Sequence, residues 1–142
     1  MPLTQVALND TLVSDLSPLS GAPLVSASLA NTRVIDLSPL AQAPLQYLNV
    51  SGTRVRDLSP FANSTTLQQL RMDSSDVRDT EALRAMPLKV LSLRGMKSHD
   101  YSFLRGLRIT ELELDMPEGG IRDILLTMPN LKKVNGVPWS RR

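Results

Sequence analysis

The sequence contains no cysteine, which excludes disulfide bridges and thiolate metal sites alike. That absence fits a reducing compartment, and a cytoplasmic location is the expectation. His99 is the only histidine, so metal sites built on several imidazoles are excluded as well. Aromatic residues are scarce, with one tryptophan, two tyrosines and two phenylalanines. Any core must therefore be aliphatic, and a surface that stacks bases on rings has little to draw on. Excess charge of one sign is also lacking: sixteen basic against fourteen acidic residues leave +2, too little to imply a nucleic-acid or membrane partner. No apolar run approaches the length of a membrane span, and Met1-Pro2-Leu3 opens no basic-then-apolar signal peptide. A glycine-rich phosphate loop is missing too; Gly119-Gly120 reads as a turn. No cofactor, metal site or membrane contact is expected.

What is present is a block written three times. Asp15-Leu16-Ser17-Pro18-Leu19 returns as Asp36-Leu37-Ser38-Pro39-Leu40 and as Asp57-Leu58-Ser59-Pro60-Phe61, at an exact spacing of 21 residues. A fixed period in this range is the mark of a solenoid. Aligned on the leucine that follows each proline, the 142 residues divide into coils starting at Leu3, Leu24, Leu45, Leu67, Leu88, Ile109 and Leu131. The expectation is a single domain over residues 1–142, closed by a C-terminal cap over residues 131–142.

The columns of this alignment have physical meanings. An apolar-polar-apolar step early in each coil reads as a short strand with one buried face. Its inward positions are Val6 and Leu8, Ala27 and Leu29, Leu48 and Val50, Leu70 and Met72, Leu91 and Leu93, Leu112 and Leu114. Thr11, Thr32, Thr53 and Ser75 form the next column, where a hydroxyl can bond to backbone left without a ladder partner. Val13, Val34, Val55 and Val77 point inward after it. In the repeated block, Ser17, Ser38 and Ser59 suit an N-cap, and Pro18, Pro39 and Pro60 suit the first helical position. A closing proline follows so soon that each return leg is predicted to be a single turn of 3-10 type. Stacked coils make a parallel sheet with one open, concave face. The predicted class is an α/β solenoid, with about seven short strands on the concave side and return turns on the convex side.

These residues resemble bacterial leucine-rich repeats of 21–22 residues with the pattern L-x-x-L-x-L-x-x-T-x-V-x-D-L-S-P-L. Repeats of this style occur in the internalin group and in arrays attached to kinases and other large proteins of planctomycete-type bacteria. Met128-Pro129-Asn130-Leu131-Lys132-Lys133-Val134-Asn135-Gly136-Val137-Pro138 looks like the closing segment of such arrays. The chain departs from the pattern in carrying threonine where the superfamily commonly has asparagine. The block also decays after residue 60, to Thr80-Glu81-Ala82 and then Tyr101-Ser102-Phe103. Trp139 is expected to lie over the last coil as a lid, with Arg141 and Arg142 in solvent. No matching cap precedes Leu3, and further repeats or another domain are expected before it.

The catalytic inventory is nearly empty. Ser98-His99-Asp100 has the composition of a triad, but triads converge in space rather than lie adjacent in sequence. Glu111, Glu113 and Asp115 alternate on one strand and face the concave side, at a spacing glycosidase pairs also use, yet an open sheet lacks the cleft such a pair needs. The chain is expected not to be an enzyme.

Binding is expected on the concave columns, whose outward residues include Tyr47 and Asn49, Gln69 and Arg71, and Glu111 and Glu113, with Arg94 alongside. Tyrosine and arginine dominate binding hot spots, and Tyr47 beside Arg71 and Arg94 is the leading candidate. A second candidate is a docking edge on which Arg33 and Arg54 share one column and Arg56, Arg78, His99 and Arg122 another. Asp57, Asp79, Asp100 and Asp123 follow in a position to offset this charge. The expected function is a non-catalytic protein-interaction module for a protein partner, not nucleic acid. The alternative is a spacer or scaffold segment of a larger bacterial protein, for example one carrying a kinase domain.

Overall fold

The computed structural model describes residues 2–96 and 100–141. Eight strands form one sheet in chain order: β1 (Gln5–Ala7), β2 (Ser26–Ser28), β3 (Tyr47–Asn49), β4 (Gln69–Arg71), β5 (Val90–Ser92), β6 (Glu111–Glu113), β7 (Lys133–Val134) and β8 (Val137–Pro138). The first seven are parallel and β8 is antiparallel to β7. The strand pairing matches the repeat frame residue for residue. Val6, Ala27, Leu48, Leu70, Leu91, Leu112 and Val134 are successive partners on the inward face. Ala27, Leu48, Leu70, Leu91 and Leu112 are fully buried. A one-residue slip would turn this whole row out to water, and each fully buried leucine represents about 1.5–3 kcal/mol of transfer free energy.

The turn after each of the first four strands is closed by a side-chain hydroxyl. Threonine hydroxyls donate to the carbonyl three residues back: Thr11 to Leu8 at 2.6 Å, Thr32 to Leu29 at 2.8 Å and Thr53 to Val50 at 2.6 Å. Ser75 does the same to Met72 at 2.8 Å. Just before this column the backbone takes a positive φ in five successive coils, at Asp10, Asn31, Gly52, Ser74 and Gly95. Glycine fits position 52 best, since its φ is positive and a Cβ there would collide with the carboxamide oxygen of Asn31.

The repeated block turns the chain, but not by the capping expected of its serines. The 3-10 turns Ser17–Leu19, Ser38–Leu40 and Ser59–Phe61 begin at those serines, and no side chain caps them in the helical sense. Instead the aspartate two residues earlier accepts the serine amide. The distances are 2.9 Å for Asp15–Ser17, 2.9 Å for Asp36–Ser38 and 2.8 Å for Asp57–Ser59. Asp100 does the same for Ser102 at 3.0 Å, opening the fourth 3-10 turn, Ser102–Leu104. The physical reason is that the amides a leading serine would cap are already taken by backbone carbonyls, as Leu19 and Ser20 donate to Leu16 and Ser17, whereas an aspartate two residues ahead of the serine closes an Asx turn on the serine's own amide. In two of the later coils the return leg is α-helical, while the coil that keeps an aspartate two residues before a serine, Asp100 and Ser102, keeps the 3-10 turn. α1 (Ala82–Ala85) and α2 (Arg122–Leu125) carry Ala-Leu-Arg-Ala and Arg-Asp-Ile-Leu, free of proline.

The two ends of the stack differ. In the first coil Val6, Leu8, Val13 and Leu19 are only partly buried, while Leu29, Val34 and Leu40 one coil later are at 0% exposure. At the other end the chain folds back. Asn135 and Gly136 both adopt positive φ and form the two-residue turn between β7 and β8. Trp139 packs against the core beyond β8, with the Arg122 guanidinium 5.2 Å from its ring centroid. Arg141 does not stand free in solvent as expected: its guanidinium donates to the carbonyls of Leu126 at 2.8 Å and Met128 at 2.6 Å, just past α2. Arg142 lies outside the described residues.

Candidate functional site

Two rows of side chains cross the concave face. One runs Gln5, Ser26, Tyr47, Gln69, Val90, Glu111, Lys133; the other runs Ala7, Ser28, Asn49, Arg71, Ser92, Glu113. The first three strands present only small or neutral groups in both rows. Charge begins at β4.

The charged part is one connected cluster. Glu113 Oε2 lies 3.5 Å from Arg71 Nη2 and 3.4 Å from Arg94 Nε. Arg71 on β4 and Glu113 on β6 are two strands apart, about 9.6 Å between backbones, and only a small residue between them lets the ions meet. Ser92 on β5 is that residue, with no exposed surface. Its hydroxyl donates to Asp73 Oδ1 at 2.6 Å, and the same oxygen accepts the Arg94 amide at 2.7 Å. Asp73 Oδ2 stands 3.8 Å from Arg71. Two arginines, two carboxylates and a serine thus hold one another on an otherwise open sheet. With side chains 32–46% exposed in the two Glu113 pairs, such pairs contribute little to stability, about 0.2–1 kcal/mol each. Their effect is to fix geometry.

The other expected site residues are distributed around this cluster. Tyr47 is half-buried in the outer row beside Gln69, diagonal to Arg71 and not in its row. Both arginines turn toward Glu113. Asn49 directs its side-chain oxygen to the Ser51 amide at 3.0 Å. Glu111 pairs with Lys133 of the next coil at 3.7 Å. Asp115 leaves the carboxylate row to accept the Gly95 amide at 2.8 Å. Asp73 is the member that the column reading passes over, and Ser92, which it places on the concave face, is not among the expected binding residues. Their signal was the register itself, which sets Ser92 between Arg71 and Glu113.

On the edge, Arg33, Arg54, Arg56, Arg78 and Arg122 are all exposed; His99 lies outside the described residues. Arg122 belongs to the C-terminal closure through Trp139. Of the aspartates that follow these positions, Asp57 and Asp100 are engaged elsewhere. Asp57 uses Oδ1 for the Ser59 amide and Oδ2 for its hydroxyl at 2.9 Å. The Asp15, Asp36, Asp57 and Asp100 carboxyls lie below the ordinary carboxylate range because each accepts its serine's amide and then that serine's hydroxyl. Tyr101 is pushed up, by burial first and by the charge of Asp115 second.

An open depression of about 500 Å³ lies away from the concave face, between Arg78, Arg84 and Tyr101. There Glu81 and Arg84 form an exposed pair at 3.8 Å. Among the described residues no group of three or more His, Asp or Glu is placed to hold a metal ion, and no helix is long and apolar enough to cross a membrane.

Parallel strands repeating every 21 or 22 residues, hydroxyl-closed turns and single-turn return legs define a leucine-rich repeat solenoid. No protein-family model and no curated protein matches the chain. Among solved structures it is similar to internalin C2 of Listeria monocytogenes, with 30% identity and a TM-score of 0.72 over 80% of this chain and 52% of that one. It is also similar to a second internalin of that organism, inlF, with 22% identity and a TM-score of 0.77 over 93% of this chain and 40% of that one. The chain therefore spans about half, or less, of the length of these internalins. Its fold is a leucine-rich repeat solenoid, with internalin-like coils.

Proposed function

We propose that the chain is a non-catalytic protein-interaction module that engages a protein partner through its concave face. Tyr47, Gln69 and the Arg71–Glu113–Arg94 cluster are the anchors, with Asn49 and Glu111 at the border. The observation that carries this reading is the shared contact of Arg71 and Arg94 with Glu113, at 3.5 and 3.4 Å on an open sheet face. Side chains ordered before binding lose less entropy on association, and tyrosine and arginine are the residue types on which interface energy concentrates. The internalin-like coil supports an interaction role in general terms, since a solenoid's repeated, extended concave surface serves binding.

The test is to replace Tyr47, Arg71 and Arg94 with alanine and compare partner capture from extracts of the source cells. All three side chains are partly or largely exposed, so the variant should fold as the parent does. Loss of a specifically captured protein is the expected outcome. Unchanged capture would reject the concave face and favour the spacer role, in which the parent protein keeps its function without these side chains.

A further inference from the structure

Apart from the concave face, the chain carries a lateral stripe formed where the extended segments after each threonine turn stack. Counted from each coil's first leucine, the tenth and twelfth positions of the first four coils are Leu12 and Ser14, Arg33 and Ile35, Arg54 and Arg56, and Asp76 and Arg78. Backbone hydrogen bonds tie these segments together, Arg33 N–H to the Val13 carbonyl at 2.9 Å and Arg78 N–H to the Arg56 carbonyl at 3.1 Å. Two features set the stripe apart.

The first is apolar. Leu12 is 73% exposed and Ile35 57% exposed, the highest and third-highest values among the large hydrophobic residues described. Single exposed apolar residues are ordinary, but these two lie on neighbouring coils, about 8 Å apart on a strand-like lattice, with Arg33 beside both. The second feature is charge. Among the described residues no carboxylate comes within ion-pair distance of the guanidinium groups of Arg33, Arg54, Arg56 or Arg78. The carboxylate best placed to neutralise Arg54 and Arg56, that of Asp57, is closed onto Ser59 through both oxygens. Four arginines thus stand against one aspartate of the stripe, Asp76.

We infer that this stripe is a second docking surface, and that it fits a protein segment carrying carboxylates around one or two aliphatic side chains. Exposed apolar groups rimmed by polar ones mark interaction sites, and charge complementarity selects the sign of the partner. The absence of aromatic side chains from the stripe argues against nucleic acid.

The probe is a fluorescein-labelled peptide of about fifteen residues, Glu-Leu-Glu-Glu-Leu three times over, titrated with the whole chain and followed by anisotropy; an all-glutamate peptide of equal length is the comparison. The mixed peptide is expected to bind more tightly than the all-glutamate one. Changing Arg33, Arg54, Arg56 and Arg78 together to glutamine should weaken it about tenfold or more. Changing Leu12 and Ile35 to serine should erase the difference between the two peptides. All six side chains are exposed, so both variants should keep the fold, which circular dichroism checks. The inference is overturned if the mixed peptide does not bind, or if the glutamine variant binds it equally well. It is also overturned if the Tyr47, Arg71 and Arg94 alanine variant abolishes binding, or if a single-stranded oligonucleotide binds the stripe more tightly than either peptide.

Discussion

Asp57 holds Ser59 twice, through its backbone amide at 2.8 Å and its hydroxyl at 2.9 Å. This contact recurs at the amide in Asp15–Ser17, Asp36–Ser38 and Asp100–Ser102, so the return turns of four coils each open on an aspartate oxygen.

The consequence is a dependence of stability on pH. Each of these aspartates has its pKa lowered in the folded chain, first by the serine amide and then by the serine hydroxyl. The unfolded chain then binds protons more readily, so the stabilisation is present in full above the ordinary aspartate range of about 3.9 and is lost as pH falls below it. Thermal unfolding followed from pH 7 down to pH 2.5 should show a falling midpoint below about pH 4. With all four aspartates changed to asparagine, whose oxygen still accepts the amide, that fall should be shallower. An identical acid slope in the two proteins would remove the aspartates as its cause.

Gly52 is the most exacting backbone position. Its φ is 68°, and an added Cβ would meet the Asn31 carboxamide. Gly52→Ala should destabilise the chain by about 1–3 kcal/mol in urea unfolding. Shortening Asn31 to alanine in the same chain should recover part of that loss, because the collision is with a side chain. Equal losses with and without Asn31 would assign the whole cost to the dihedral angle.

Thr53 is buried, and its hydroxyl donates to the Val50 carbonyl at 2.6 Å. Thr53→Val keeps the shape and removes the donor, which should cost about 1 kcal/mol. Thr53→Ser keeps the bond, as Ser75 does in the next coil, and should cost less. The same urea series distinguishes them, and a valine variant as stable as the parent would contradict the role given to the hydroxyl.

Trp139 closes the C-terminal end with its indole N–H buried and, among the described residues, without a hydrogen-bond partner. Phenylalanine at 139 should therefore be close to neutral, since it discards an unsatisfied donor. Alanine should cost about 2–3 kcal/mol by opening the end of the stack. A phenylalanine variant as unstable as the alanine one would show that the indole makes a polar contact after all.

The strand register was legible in the sequence because two periods agree, alternation within a strand and 21 residues between strands. Together they place Leu48 against Leu70 and Tyr47 beside Gln69. The serines of the repeated block do not cap because the N-cap rule belongs to α-helices, and in these 3-10 turns the amides a serine would cap donate to backbone carbonyls instead. The antiparallel β8 had a plain signal in Asn135-Gly136 between Val134 and Val137, which the likeness to an array end obscured. Within the site, the column reading gathered Arg71, Arg94 and Glu113 on one face. That they converge on a single carboxylate depends on Ser92 being small within the row Arg71, Ser92, Glu113, and on Asp73 holding it from the neighbouring column.

The most direct test of the concave-face reading is site-specific photocrosslinking in the source cells. A benzoyl-phenylalanine placed at Tyr47 should yield a discrete adduct with one protein partner, while the same group at the exposed Gln42, in the return segment between Leu40 and Leu45, should yield none. Adducts of equal strength from both positions, or from Gln42 alone, would contradict binding through the concave face.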